Sequence, residues 1–184
     1  YREPKPGLAS EHTLYTSSDK LYQFTKDRGA TLDQKFTAWK FEDDPATSDR
    51  PSGQAATIDF SFADFKVSWQ YDPATDQYLR SLADTPHQDA STNDQLTSKN
   101  VAILSVNRQQ DSSANQGKGE WTMATTGSGP VKLLKHGRLT EGIWKKESLG
   151  GMLRFFDGSG NELKLGRGRT WLEIVPPDIA VTIQ

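Results

Sequence analysis

The alternation of apolar and polar side chains is the feature of this sequence that most restricts its fold. Apolar residues alternate with others over Ile58–Phe62 and again, in the opposite register, over Phe65–Tyr71. Successive side chains of a strand point to opposite faces, so this pattern predicts two half-buried strands joined by a tight turn at Ala63 and Asp64. Asp72–Asp76 has the chemistry of a turn, and a further strand is expected over Gln77–Leu82.

Short apolar segments separated by glycine-rich turns continue to the end of the chain. A strand is predicted over Val101–Asn107, and later strands are predicted around Trp121, Leu133, Trp144, Phe155, Leu163 and Trp171. Asp157–Gly160 and Gly166–Gly168 are predicted to be hairpin turns. One helix is expected near residues 17–28, where Thr16 or Ser17 offers an N-cap and Gly29 a stop. We therefore predict an α+β fold that is predominantly antiparallel β, with a curled or two-layer sheet and one short helix near the amino terminus.

A polar stretch over residues 42–54 contains two prolines and is interpreted as a linker or loop. The predicted domains are therefore residues 1–48, as the remnant of a preceding α+β domain, and residues 55–184, as a β-rich carboxy-terminal domain. Between the helix and this stretch, the weak alternation over Phe36–Phe41 predicts a strand built around Trp39.

Composition excludes several classes of site. The chain has no cysteine, which excludes disulfides, thiolate metal sites and a cysteine nucleophile. Its apolar runs are far shorter than the roughly 20 residues of a membrane-spanning helix. It has no Gly-x-Ser-x-Gly motif and no closely spaced metal-binding motif, so no metal and no cofactor are expected.

Several segments, taken in order, resemble the YerB-like family of bacterial lipoproteins. They include Val67–Asp72 (VSWQYD), Tyr78–Arg80, Pro86–Asp89 (PHQD), Gly142–Lys146 (GIWKK), Gly160–Glu162 and Gly168–Trp171 (GRTW). Residues 1–2 and Glu11–Thr16 resemble the end of that family's amino-terminal domain. The likeness of the carboxy-terminal domain extends over roughly residues 55–177, and the family has no established activity.

This resemblance implies an extracytoplasmic protein that is a membrane-anchored lipoprotein in its full-length form, with the lipid anchor outside this chain. The function expected from it is a binding or interaction module of the cell envelope. Its partners would be an envelope ligand or protein and the preceding domain of the same polypeptide, and not nucleic acid. The alternative is a hydrolase or transferase that acts on envelope polymers through Arg80, His87 and Asp89.

The predicted ligand site follows the strand over Gln77–Leu82. Arg80 would hold an anionic group, Asp89 would orient the imidazole of His87, and Tyr78 would form a wall because it shares a strand face with Arg80. In the rival interpretation, Arg80 and Asp89 form a salt bridge that pins the loop, and His87 lies in solvent. His12, just before the helix, is a further candidate ligand-binding residue.

Other residue patterns have structural explanations. The tryptophans lie in alternating strands, so burial is expected, and Trp69, Trp144 and Trp171 are predicted core residues; a sugar-stacking platform is the alternative. Lys146 and Ser148 share a strand face, which permits a serine–lysine pair without indicating one. A polyanion-binding surface is a weaker possibility, which would require one contiguous basic face formed by Lys132, Lys135, Arg138, Lys145, Arg167 and Arg169.

Overall fold

The computed structural model describes residues 2–31, 36–60, 62–111 and 120–184, and the chain divides into two compact units, Tyr1–Thr37 and Ala38–Gln184. The smaller unit contains a 3-10 turn over Ser10–Thr13 and helix α1 over Ser18–Asp27. The Ser17 hydroxyl accepts a hydrogen bond from the Lys20 amide, as an N-cap does. The helix predicted from this cap is confirmed.

The larger unit is built from strands and 3-10 turns. Its strands are β1 Phe41–Glu42, β2 Ala56–Asp59, β3 Val67–Asp72, β4 Gln77–Leu82, β5 Thr85–Pro86, β6 Thr97–Ser98, β7 Asn100–Ser105, β8 Arg108–Asp111, β9 Glu120–Met123, β10 Gly127–Lys135, β11 Arg138–Lys146, β12 Arg154–Phe156, β13 Leu165–Gly166, β14 Thr170–Val175 and β15 Ala180–Ile183. Its 3-10 turns cover Thr47–Asp49 and Ala63–Phe65.

Two sheets form the body of this unit. The first sheet has the order β15-β2-β3-β4-β5, with β6 also paired to β4, and the second has the order β12-β11-β10-β7-β14. Two further pairs, β1-β13 and β8-β9, stand apart from these sheets. One apolar core contains side chains of both sheets, such as Trp69 and Tyr78 from the first and Val101 and Leu134 from the second. The sheets therefore pack as two layers.

A second apolar core lies on the opposite face of the second sheet. It contains Leu104, Leu133, Trp144 and Phe155, and the partly buried Trp39 packs against it. Trp39 stacks on Phe155 at 6.2 Å between ring centroids, and its indole N–H donates to the Leu153 carbonyl at 2.6 Å. The residues just before β1 therefore cover this face.

The predicted fold class is confirmed: the structure is rich in strands, mostly antiparallel, with the helix near the amino terminus. The exceptions to antiparallel pairing are β14 beside β7 and β13 beside β1. The predicted hairpin at Asp157–Gly160 is present, since Phe156 pairs with Glu162. The hairpin predicted at Gly166–Gly168 is wrong, because β13 and β14 run to different partners.

Four local predictions differ from the structure. Phe65 ends a 3-10 turn and is 58% exposed, so it does not continue the buried face of β3. The strand predicted around Trp121 is present as β9 of the separate β8-β9 ribbon, but Trp121 is 52% exposed and not buried as expected. No strand contains Trp39 or Leu163, and both residues precede a short strand. β1 begins after Trp39, at Phe41, and β13 begins after Leu163, at Leu165.

The polar stretch over residues 42–54 belongs to the larger unit, in which Phe41 and Glu42 pair with Leu165 and Gly166. Whether residues 1–48 are the remnant of a preceding domain stays a prediction. Among the described residues, no helix has the length and apolar character that crossing a bilayer requires.

Candidate functional site

Arg80, the centre of the predicted ligand site, lies between the two sheets. Tyr78 and Arg80 share a face of β4, as the alternation predicted, and both are buried. The guanidinium carbon of Arg80 is 4.8 Å from the centroid of the Trp171 ring and 5.7 Å from that of Trp69. Its Nε lies 3.7 Å from Oε1 of Glu173, and the same carboxylate oxygen accepts the indole N–H of Trp69 at 3.0 Å.

This pair is an internal ion pair between the sheets. Burial raises the pKa of Glu173, against the opposing effects of the Trp69 hydrogen bond and the charge of Arg80. Burial likewise lowers the pKa of Arg80, and Glu173 opposes that shift. A guanidinium stays protonated in proteins, so Glu173 supplies the counter-charge. The positive charge of Arg80 is therefore already matched inside the protein.

His87 is held by Arg80 through two contacts. Nη1 of Arg80 contacts Nδ1 of His87, and the His87 amide donates to the Arg80 carbonyl at 3.0 Å. Burial and then the charge of Arg80 lower the pKa of His87, which favours the neutral imidazole. With Nδ1 accepting from Arg80, the proton of that neutral ring lies on Nε2.

The Asp89 carboxylate forms its hydrogen bonds within its own loop. Its carboxylate accepts the Ser91 amide at 2.8 Å, the Thr92 amide at 3.2 Å and the Ser91 hydroxyl, and these hydrogen bonds lower its pKa. Neither the predicted contact with His87 nor the rival salt bridge with Arg80 is formed, because Glu173 pairs with Arg80 instead.

The other two predicted site residues lie elsewhere. Tyr78 is fully buried, and its ring packs on Tyr71 at 5.2 Å between centroids. His12 lies in the 3-10 turn of the smaller unit. A ligand-binding role for Arg80, His87, Asp89, Tyr78 and His12 stays a prediction.

A second polar cluster, which sequence reasoning missed, surrounds Asp76 and His136. Nδ1 of His136 lies 2.8 Å from Oδ2 of Asp76, and both residues are buried. His136 is at φ 50° and Gly137 at φ 71° in the two-residue turn between β10 and β11, where both residues of a type I′ turn have positive φ. Asp76 is also in the left-handed region, at φ 55°. Residues other than glycine that are held in this conformation concentrate at functional sites.

Asp76 is the centre of this network. Its carboxylate accepts the ammonium of Lys99 at 2.6 Å and the Tyr71 hydroxyl at 2.6 Å, in addition to His136. Burial alone would raise the pKa of Asp76, but these three hydrogen bonds outweigh it and the pKa lies below its ordinary value. Asp76 is therefore ionised at neutral pH, and Nδ1 of His136 carries the hydrogen that it accepts.

Lys99 places its positive charge between two carboxylates. Its ammonium contacts Asp76 and also lies 2.6 Å from Asp44, which follows β1. The ligand atoms of Asp44, Asp76 and His136 lie within 4.8 Å of one another, a spacing that a cation could bridge. The Lys99 ammonium already bonds both carboxylates, but its single charge balances only one of them.

The other nitrogen of His136 has no hydrogen-bond partner in the described part of the chain. Nε2 is buried and lies 3.7 Å from Oε1 of Glu42. The backbone of Gly166 packs closely against the ring, so that a Cβ there would lie 2.9 Å from Cε1 of His136. The imidazole is therefore fixed on one side by Asp76 and confined by β13.

His136 faces a polar cavity of about 390 Å³. The cavity is lined by Glu42, Asp43, Pro45, Asp49, Lys135, His136, Arg138 and Thr140. We call it the His136 cavity. The available sequence signal was the His136-Gly137 pair, which occupies the hairpin position where Asn-Gly is the usual choice.

Two other predicted patterns have structural explanations. The ammonium of Lys146 donates to the carbonyls of Ser148, Leu149 and Gly151, so it supports the backbone of this turn and not a serine hydroxyl. The predicted basic surface is interrupted by acidic partners, which pair Lys132 with Glu141, Lys135 with Glu42 and Arg167 with Asp43.

Comparison with known proteins agrees with this architecture. Residues 56–172 match the family described as "Protein of unknown function (DUF3048) C-terminal domain". A solved structure titled "Crystal structure of YerB protein from Bacillus subtilis" superposes with a TM-score of 0.72 at 22% sequence identity, over 97% of this chain and 57% of that chain. The chain thus spans 57% of the length of that YerB chain. No curated protein gave a significant match.

The YerB likeness supports the shared fold, and the family match spans most of the larger unit, from β2 into β14. The resemblance predicted from the ordered sequence segments is therefore confirmed. The chain belongs to the DUF3048 family, whose carboxy-terminal domain it contains.

Proposed function

We propose that this chain is a binding module of the bacterial cell envelope, located outside the cytoplasm, and that it takes a polar ligand in the His136 cavity. The envelope location is supported by the resemblance to YerB-like lipoproteins. The binding role is supported chiefly by one observation: His136 lines a polar cavity, and its buried Nε2 has no hydrogen-bond partner among the described residues.

A buried polar atom without a partner costs about 1–3 kcal/mol, so a native fold that keeps one gains something from it. A ligand group bonded to Nε2 would recover that free energy. The imidazole is also preorganised, because Asp76 fixes its orientation at the edge of the cavity that His136 lines. Neutral His136 would accept a hydrogen bond from the ligand, and protonated His136 would donate one.

The alternative, a hydrolase or transferase acting through Arg80, His87 and Asp89, has less support. Such a mechanism needs the three side chains to converge on one reacting atom. Arg80 is neutralised by Glu173, and Asp89 is engaged by Ser91 and Thr92. A binding role at His136 does not require this convergence.

The binding proposal is testable because the chain has only three histidines, His12, His87 and His136. Imidazole NMR signals of the intact chain would be followed while N-acetylglucosamine, inorganic phosphate and acetate are added separately. We expect at least one probe to shift the His136 signals in a saturable way while those of His12 and His87 stay in place. If none of the three probes moves His136 at concentrations of tens of millimolar, the cavity is not a binding site of this kind.

The location needs its own measurement. In intact bacterial cells expressing the full-length protein, externally added protease should degrade the carboxy-terminal domain once the cell wall is removed. A domain that becomes protease-sensitive only after lysis would contradict the extracytoplasmic assignment.

A further inference from the structure

Some of the charged groups that line the His136 cavity have a partner of opposite charge, and others do not. Glu42 pairs with Lys135, and Asp43 pairs with Arg167. Two charged lining residues, Arg138 on β11 and Asp49 in the 3-10 turn over Thr47–Asp49, have no partner of opposite charge among the residues that the structure describes. The unmatched groups on the sheet side of the cavity therefore include a permanent positive charge.

Arg138 and Thr140 are positioned to act together. They are two residues apart on β11, so their side chains project from the same face of the strand, and both line the cavity. The intervening Leu139 packs on the core between the sheets instead. A guanidinium beside a hydroxyl is a donor pair suited to phosphate or carboxylate oxygens.

Glu42 shows that this part of the cavity accepts a carboxylate. Its side chain contacts the ammonium of Lys135 and lies 3.7 Å from Nε2 of His136. Lys135 is further anchored by donating to the Lys164 carbonyl at 2.7 Å. The carboxylate of Glu42 thus occupies a position between a fixed cation and a buried imidazole.

We propose that the group bound in the His136 cavity is anionic, a phosphate or a carboxylate held by Arg138 and Thr140 beside His136, and that Glu42 competes with it for Lys135. This inference rests on the proposed binding function and names the chemical class of its ligand. When the imidazole is protonated, Nε2 donates to the anion; when it is neutral, Nε2 accepts from a hydroxyl of the ligand.

The experiment compares three variants with the parent chain, using inorganic phosphate and acetate as separate probes and N-acetylglucosamine as a neutral one. Arg138→Gln removes the guanidinium and should weaken anion binding about tenfold or more, as loss of a charge-assisted hydrogen bond does. Glu42→Gln removes the competing carboxylate and should strengthen it. Arg169→Gln is the matched control, since its side chain bonds Thr97 and does not line the cavity.

Affinities would be read from the His136 signals. The inference is supported if both anions bind, or phosphate alone, and if the affinities of the variants follow the expected order. The same result shows which anion is preferred. Equal phosphate affinity in Arg138→Gln and Arg169→Gln, or weaker binding in Glu42→Gln, would overturn it. If only N-acetylglucosamine shifts His136, the anionic class is wrong while the binding function stands; if no probe does, both fail.

Discussion

The side chains of Arg80 and Glu173, which are far apart in sequence, form an ion pair 3.7 Å apart between the two sheets. Each side chain is only 8% exposed, so neither charge has much access to water. Arg80 comes from β4 of the first sheet and Glu173 from β14 of the second. The indole of Trp69 donates to the same carboxylate, so the pair joins the two layers.

Removing one member of this pair should be costly, because the other charge stays buried. We expect Arg80→Met and Glu173→Gln each to lower the free energy of unfolding by about 3–5 kcal/mol. The double variant should cost clearly less than the sum. Urea denaturation of the four proteins in a double-mutant cycle measures this coupling, and strictly additive losses would show that the two charges act independently.

Gly166 should tolerate no side chain, because of its contact with His136. A Cβ at this position would lie 2.9 Å from Cε1 of the imidazole, closer than real Cβ contacts. We expect Gly166→Ala to destabilise the fold by about 1–3 kcal/mol and to move the His136 NMR signals. Gly158→Ala is the control, since nothing lies within 4 Å of its Cβ. Equal stability of the two variants would mean that β13 does not confine the ring.

His87 should make stability depend on pH below neutrality. Because its pKa in the folded protein lies below the ordinary 6.5, the unfolded chain binds more protons than the folded one between those two values. Stability should therefore fall as pH decreases from 6.5 through the lower folded value. His87→Gln should remove this contribution, as measured by urea denaturation at several pH values.

For the His87 experiment, His12→Gln is the control for removing an imidazole outside the contact with Arg80. A pH dependence that is identical in the parent chain and in His87→Gln would contradict the role assigned to the Arg80 contact.

The sequence pattern correctly predicted elements whose position depends only on neighbouring residues. The alternation through Val67, Trp69 and Tyr71 marked β3, and the cap at Ser17 marked α1. Pairing between distant segments has no such signature. β14 pairs in parallel with β7, a segment distant in the sequence. The alternation within either strand does not specify its partner.

Burial was less predictable than strand position. Trp69 and Trp144 are buried as predicted, but Trp171 is only partly buried because β14 is an edge strand. The cost of about 3–5 kcal/mol that a fully packed Trp171→Ala would incur is therefore an upper bound. Trp121 alternates like a core residue, yet it is 52% exposed in the β8-β9 ribbon, with the Arg108 guanidinium 4.2 Å from its ring centroid.

The candidate site shows the same division. Strand alternation correctly placed Tyr78 and Arg80 on one face of β4, but it did not predict that this face is buried. It could not supply Glu173, which comes from the last part of the chain. It also could not supply the residues clustered around Asp76 and His136, which come from β1, the turn before β4 and the residue before β7. Such a site depends on which distant segments lie next to each other in the fold, and the pattern of a single sequence does not show this.

The positions of β14 and β15 have a consequence for synthesis of the protein. β2 pairs with β15 on one side, and β7 pairs with β14, so two late segments complete both sheets. A nascent chain on the ribosome leaves one edge of β2 and one edge of β7 unpaired until β15 and β14 have emerged. Stable closure of the two layers, including the Arg80–Glu173 contact, must therefore wait for β14 and β15, whereas β3-β4 and β10-β11 can pair earlier.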